Sequence, residues 1–142
     1  MPSARSNLGT RGEALAAAHL EGLGMRIAAR NYRTRYGEVD LVAHDGDTLV
    51  FVEVKTRRGS TYGAPAESVT PRKLDRLAKT AALYLQANGL EQRPWRVDLV
   101  AIKLGKDGPT INHVRSIVER DPAEGILQVP SGRVGLTDAV NH

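Results

Sequence analysis

Apolar residues recur at helical spacing in two segments, and short runs rich in Val, Ile and Phe fill the stretches around them. The first helical segment carries Leu15, Ala16, Ala17, Leu20 and Leu23. Thr10 with Glu13 three residues on forms a capping box at its start, and Gly24 is its natural stop. Met25 to Tyr32 reads as a strand. Glu38 to Ala43 and Thr48 to Thr56 read as two more, joined as a hairpin. Gly59 to Val69, with Gly63 and Pro65, reads as a loop. Thr70 and Pro71 then open a second helix, as N-cap and first helical residue. Its stripe is Leu74, Leu77, Ala78, Ala81 and Leu85, and Gly89 ends it. Arg96 to Ile102 alternates as a strand, reached by a crossover through that helix. Thr110 to Val118 is the last predicted strand. This order predicts an α/β fold with a mixed central β-sheet flanked by helices. Residues 1–8 read as a loose tail, 9–120 as a single domain, and 121–142, which lack periodicity, as a mobile C-terminal tail.

The hairpin strands carry charges where apolar residues belong. Asp40 sits in Gly37-Glu38-Val39-Asp40-Leu41-Val42, and Glu53 and Lys55 in Val50-Phe51-Val52-Glu53-Val54-Lys55. An unpaired buried charge costs several kcal/mol or shifts its pKa, so three in adjacent core strands need a common cause. A carboxylate pair binding a hard cation, with a lysine beside it, supplies one. Asp45-Gly46 is a strong hairpin signal and, as a two-residue loop, pairs Val42 with Leu49 and Asp40 with Phe51. Asp40 then shares a face with Phe51, Glu53 and Lys55 and becomes the diagonal neighbour of Glu53, roughly 7–8 Å away at the backbone. Glu38 would face Glu53 directly, as a further ligand candidate.

Composition narrows the chemistry. The 142 residues suffice for one domain with a real core. There is no cysteine, which excludes disulfides, thiolate metal sites and thiol nucleophiles. His19, His44 and His113 show no ligand spacing, so zinc is not expected. No Gly-rich phosphate loop and no nucleophile elbow occurs. No apolar run approaches a membrane span, and a soluble cytoplasmic protein is expected. The net charge is +4, with a pI near 9.7. Arg26, Arg30, Arg33 and Arg35 precede the carboxylates, and Arg57, Arg58, Arg72, Lys73, Arg76 and Lys79 follow them. Such a frame suits a polyanion held against a metal site, and it equally describes a solvated surface.

Gly12-Glu13, the Glu38-Val39-Asp40 segment and Glu53-Val54-Lys55-Thr56-Arg57 together resemble the YraN family of endonuclease-like bacterial proteins. The resemblance continues through Gly63-Ala64-Pro65, Lys73 and Tyr84-Leu85 to Arg96-Val97-Asp98, and covers roughly residues 9 to 118. It implies a restriction-endonuclease-like three-layer fold of the PD-(D/E)XK superfamily, which includes Holliday-junction resolvases. By that resemblance Asp40 is the motif aspartate, Glu53 the second acid, Lys55 the lysine, and Glu13 the acidic residue of the first helix. Val39 stands where the motif has proline, and the Gln-x-x-x-Tyr pattern of some relatives is absent around Tyr84. The implied activity is Mg²⁺- or Mn²⁺-dependent hydrolysis of a nucleic-acid phosphodiester. Asp40, Glu53 and the Val54 carbonyl would be metal ligands, and Arg33, Arg35, Arg57, Arg58 and Lys73 nucleic-acid contacts. DNA is the first expectation for the partner, and resolvase-like relatives leave a homodimer open.

Each residue also has a plainer role. Glu13 can simply partner Thr10 in the capping box. A Glu-x-Lys pair is usually an exposed ion pair, although Val50, Val52 and Val54 on one face and Leu49 and Phe51 on the other argue against an exposed edge. Asp98 suits structural hydrogen bonding. Two rivals to a nuclease stay open: a nucleic-acid-binding module of the same fold without turnover, and a protein-interaction scaffold with a basic face.

Overall fold

The computed structural model describes residues 4–59, 69–122 and 126–128. Its elements are α1 (Ala4–Gly22), β1 (Arg26–Thr34), β2 (Gly37–Asp45), β3 (Thr48–Arg58), α2 (Pro71–Ala87), β4 (Trp95–Gly105), β5 (Gly108–Asp121) and the short β6 (Ile126–Gln128). The strands form one sheet in chain order, β1 to β6. Every neighbouring pair is antiparallel except β3 and β4, which run parallel because α2 carries the chain from one to the other. The result is a mixed α/β fold with the sheet between two helices.

Period-two alternation gives the sheet two apolar faces. Val42, Leu49, Phe51, Val97 and Leu99 pack with Leu77, Ala81, Tyr84 and Leu85 of α2. Leu41, Ala43, Val50, Val52 and Val100 pack with Ala16, Ala17 and Leu20 of α1. Phe51 meets Tyr84 and Trp95 edge-on, at centroid distances of 5.7 and 5.9 Å. Burying each such large side chain contributes about 1.5–3 kcal/mol. Thr70 caps α2, its side chain accepting from the Lys73 N–H at 3.1 Å, and Gly89 follows the helix at φ 66°.

Three expectations change. First, α1 begins at Ala4, within the stretch expected to be a tail, so Thr10 and Glu13 lie inside the helix and no capping box forms there. The apolar stripe starts only near Leu15, so the polar first turns left no periodic signal. Gly12 is the close approach of α1 to the sheet: a Cβ there would overlap Thr56 Oγ1.

Second, the hairpin turns on Gly46-Asp47, not Asp45-Gly46. Asp45 pairs with Thr48, His44 with Leu49 and Val42 with Phe51. Gly46, at φ 61°, takes the first loop position. This displaces the register by two residues, and an even displacement leaves the paired residues, from Leu41 to Val52, on their expected faces.

Third, strict alternation fails at Asp40. Val39 and Val42 both face α2, whereas Leu41 and Ala43 face α1. The β1 register brackets the break with Arg30 opposite Leu41 and Tyr32 opposite Val39, so Asn31 lies across from Asp40. Asn31 has φ 52°, and the exposed positions of β1 change phase there, from 26, 28 and 30 to 31 and 33. Asn tolerates this left-handed backbone better than most residues. The two strands therefore switch faces together at Asn31 and Asp40.

The loop predicted over 59–69 falls almost entirely outside the described residues, as does most of 121–142, of which β5 claims Asp121 and β6 claims 126–128.

Candidate metal and phosphate site

The β2–β3 pairing ends at Leu41–Val52, one residue short of Asp40 and Glu53, so neither Asp40–Phe51 nor Glu38–Glu53 is a pair; the charge of Glu53 nonetheless bears on Asp40. Asp40 Oδ2 accepts the Val54 N–H at 2.7 Å. In an antiparallel pair a residue's N–H and C=O project toward the same partner, so this edge of Val54 is turned toward Asp40. Glu53 is nearly buried. Its Oε2 lies 2.7 Å from Lys73 Nζ and 3.7 Å from Lys55 Nζ. Lys55 reaches it from two residues along β3, and Lys73 from the first turn of α2.

The electrostatics are strained. The Asp40 pKa is pushed up to about 7. Burial is the main cause, followed by the charge of Glu53; the Val54 N–H works the other way, and Glu13 and Glu38 add to the rise. The charges of three other carboxylates, from α1, β2 and β3, thus bear on Asp40. Lys55 is lowered, first by its hydrogen bond to Lys73 and then by burial and the Lys73 charge, against the pull of Glu53 and Asp40. For Lys73 burial is outweighed by hydrogen bonding to Glu53 and Lys55, which holds its pKa above the usual range.

Two clefts flank these groups. One, of about 250 Å³, is lined by Leu8, Gly9, Glu13, Val54, Lys55 and Thr56. The other, of about 130 Å³, is lined by Gly37, Glu38, Glu53, Lys73, Arg76 and Leu77. The donors on offer are oxygens alone, which suits a hard cation such as Mg²⁺ or Mn²⁺. Among the described residues no three Asp, Glu or His side chains converge as a ready ligand group. A metal here would need the carboxylate pair, backbone oxygen and water, a set Mg²⁺ accepts because it keeps several waters.

The pattern of the Uncharacterised protein family UPF0102 matches residues 12–102, a stretch that spans Glu13, Asp40, Glu53, Lys55 and Lys73. The chain belongs to the UPF0102 family. A UPF0102 protein of Symbiobacterium thermophilum is 54% identical over 101 residues, 71% of this chain and 86% of the relative. One of Geobacter sulfurreducens is 51% identical over 79% of this chain and 88% of its own. One of Rhodococcus jostii is 53% identical over 76% and 92%. The UPF0102 membership agrees with the YraN resemblance read from the motifs.

In this UPF0102 protein the basic residues singled out by sequence are distributed unevenly. Lys73 is in the site itself. Arg33 lies beside it, on Glu38 at 3.3 Å. Arg35 sits in the β1–β2 turn with its guanidinium 4.9 Å from the Tyr36 ring centroid, and Lys79 approaches the same ring at 5.5 Å. Arg57 and Arg58 are exposed at the end of β3. Alternation puts Arg57 on the face of Glu53 and Lys55 and Arg58 on the opposite one. The direct Lys73–Glu53 contact and the place of Arg76 in the cleft were missed by sequence reading. The spacing Lys73, Leu77, Ala81, Tyr84 held a signal, because it puts Lys73 on the inward stripe of α2. No helix among the described residues is long and apolar enough to cross a membrane.

Asp98 takes the structural role expected of it. It is fully buried and accepts from Arg96 Nε at 3.0 Å, the Ser116 N–H at 2.9 Å and His113 Nε2 at 2.8 Å. His113 Nδ1 in turn meets His19 Nε2 of α1 at 3.0 Å. Burial alone would raise the Asp98 pKa, but His113, Arg96 and the Ser116 N–H together hold it below the ordinary carboxylate range.

Proposed function

We propose that this protein is a metal-dependent nuclease of restriction-endonuclease-like fold, which hydrolyses phosphodiester bonds of nucleic acid, with DNA as the first substrate to try. The observation that carries the reading is Asp40. Its pKa is pushed to about 7, by burial first and then by repulsion from Glu53, with Glu13 and Glu38 adding to the rise. A divalent cation would relieve that repulsion and supply Lewis acidity at the scissile phosphate. Asp40, Glu53 and the Val54 carbonyl would hold it. Glu13, on the cleft that also exposes Lys55, would complete or support the site. Lys55 would orient the attacking water and set positive charge beside the phosphate. The water oxygen bonds to phosphorus as the bond to the leaving strand oxygen breaks, and that oxygen takes up a proton. Arg33, Arg35, Arg57 and Arg58 would grip the backbone, which gives affinity without sequence preference. The reading places the protein in the cytoplasm.

A second reading has support of its own. Lys73 and Lys55 already balance Glu53 without a metal, as a binding module without turnover would require. Cleavage of branched, duplex and single-stranded substrates, with and without Mg²⁺ or Mn²⁺, separates the two. The nuclease reading expects metal-dependent products that vanish with Asp40→Asn. Salt-dependent binding with no product from any substrate would favour the binding module.

A further inference from the structure

The ammonium of Lys73 lies 2.7 Å from Glu53 Oε2, a full ångström nearer than that of Lys55. Glu53 is nearly buried, so this oxygen has little other company. A Mg²⁺ on the same oxygen would sit about 2.0–2.1 Å from it. Two cations on one oxygen would lie within a few ångströms of each other in a half-buried site, where repulsion is poorly screened. One must leave. Lys55 is rooted two residues from Glu53 on the same strand. Lys73 comes from the opposing helix on a four-carbon stem, and the adjoining cleft, shared with Glu38 and Arg76, gives it somewhere to go.

We infer that Lys73 is a resident stand-in cation: it occupies the metal position on Glu53 and is displaced by the divalent ion. Once displaced it turns with Arg76, one helical turn farther along α2, toward a phosphate oxygen of the bound strand. Loading of the metal and formation of the phosphate clamp are then one event. The inference rests on the metal reading above. It makes Lys73 a positioning residue whose removal improves metal binding while it harms turnover. A lysine that merely fastened α2 to β3 would not produce that split.

The test is calorimetric titration of Mn²⁺ into wild type, Lys73→Met, Lys73→Arg and Asp40→Asn. Lys73→Met should bind Mn²⁺ about tenfold more tightly, because the competing cation no longer depletes the binding-competent state. Lys73→Arg should stay near wild type. Cleavage by Lys73→Met should fall about 100-fold, as for loss of one transition-state donor. In wild type, titration with Mg²⁺ should move the Lys73 side-chain ¹³Cε resonance, a readout that stands even if Lys73→Met does not fold. Equal or weaker Mn²⁺ binding by Lys73→Met, or a Lys73 resonance that ignores bound Mg²⁺, overturns the inference and leaves the metal site standing. Failure of both wild type and Lys73→Met to bind Mn²⁺ overturns the metal reading and the inference with it.

Discussion

Asp98 and Asp40 both point into the interior of the sheet, yet burial leaves one carboxyl acidic and brings the other to about 7. Their surroundings explain the contrast. Asp98 is met by a guanidinium, an imidazole and a backbone N–H, from β4 and β5. Only Arg96 Nη2 in that group is buried without a partner. Asp40 is met by one backbone N–H, and the charges of Glu53, Glu13 and Glu38 add to the effect of its burial. The first cluster answers its carboxylate with three donors, and a cleft of about 300 Å³ lies along its Arg96 and Ser116. The second gives Asp40 a single donor beside the charge of Glu53, with two clefts open beside it. A buried charge alone therefore says little about role; what matters is whether its partners complete it.

The sharpest way to break this comparison is to remove each carboxylate in turn. Asp98→Ala takes the shared acceptor from buried Arg96 and His113, leaving Arg96 only Asp45 among the described residues, and should cost about 3–5 kcal/mol, read by denaturant melts. If Asp40→Ala costs as much, the two clusters do not differ in kind. Gly12→Val should be next in size, at about 1–3 kcal/mol, because the new side chain forces α1 away from Thr56. Trimming Thr56 to Ala in the same chain should return part of that loss. Asp40→Asn should leave the melting temperature unchanged or raised, because one of several like charges is gone. Mg²⁺ should raise the melting temperature of wild type and not of Asp40→Asn.

The last test is the pH profile, and its sign is the informative part. The folded Asp40 pKa lies above the unfolded value of about 3.8, so the folded state binds the extra proton. Its contribution must then fall as pH rises from about 4 to 7 and level off above. Asp98 has the opposite sign: its stabilisation is full above the unfolded pKa and is lost as pH falls through the lower folded value. His19, whose pKa burial lowers, also loses stability on acidification. Subtracting the Asp40→Asn melting profile from that of wild type isolates the falling limb. A flat difference between pH 4 and 7 would mean that Asp40 is not under repulsive strain.

Much of this arrangement was legible in the chain. The hairpin strands, the capped α2 and its crossover followed from periodicity, Thr70-Pro71 and Gly89. The choice of turn was not legible, because Asp45-Gly46 and Gly46-Asp47 both satisfy hairpin chemistry and only packing decides between them. The nearness of Asp40 to Glu53 survived that error because strands repeat every two residues. The face switch at Asn31 was invisible, since a single left-handed residue leaves no mark on composition. Lys73 was read as a phosphate contact only, because charge clustering was weighed before its place on the α2 stripe.

That face switch has a consequence for the company the molecule keeps. Among the described residues β1 is the outer strand of the sheet, with no strand beyond it, and an unprotected edge of nine residues invites another chain to add on. At its centre Asn31 takes a left-handed turn, and Arg26, Arg30 and Arg33 stand exposed along it. A regular strand laid alongside would lose its hydrogen-bond rhythm midway and meet three positive charges. The distortion that seats Asp40 thus also guards the border of the sheet against fibre-like stacking, so replacing Asn31 with a β-branched residue should raise aggregation even where the fold survives.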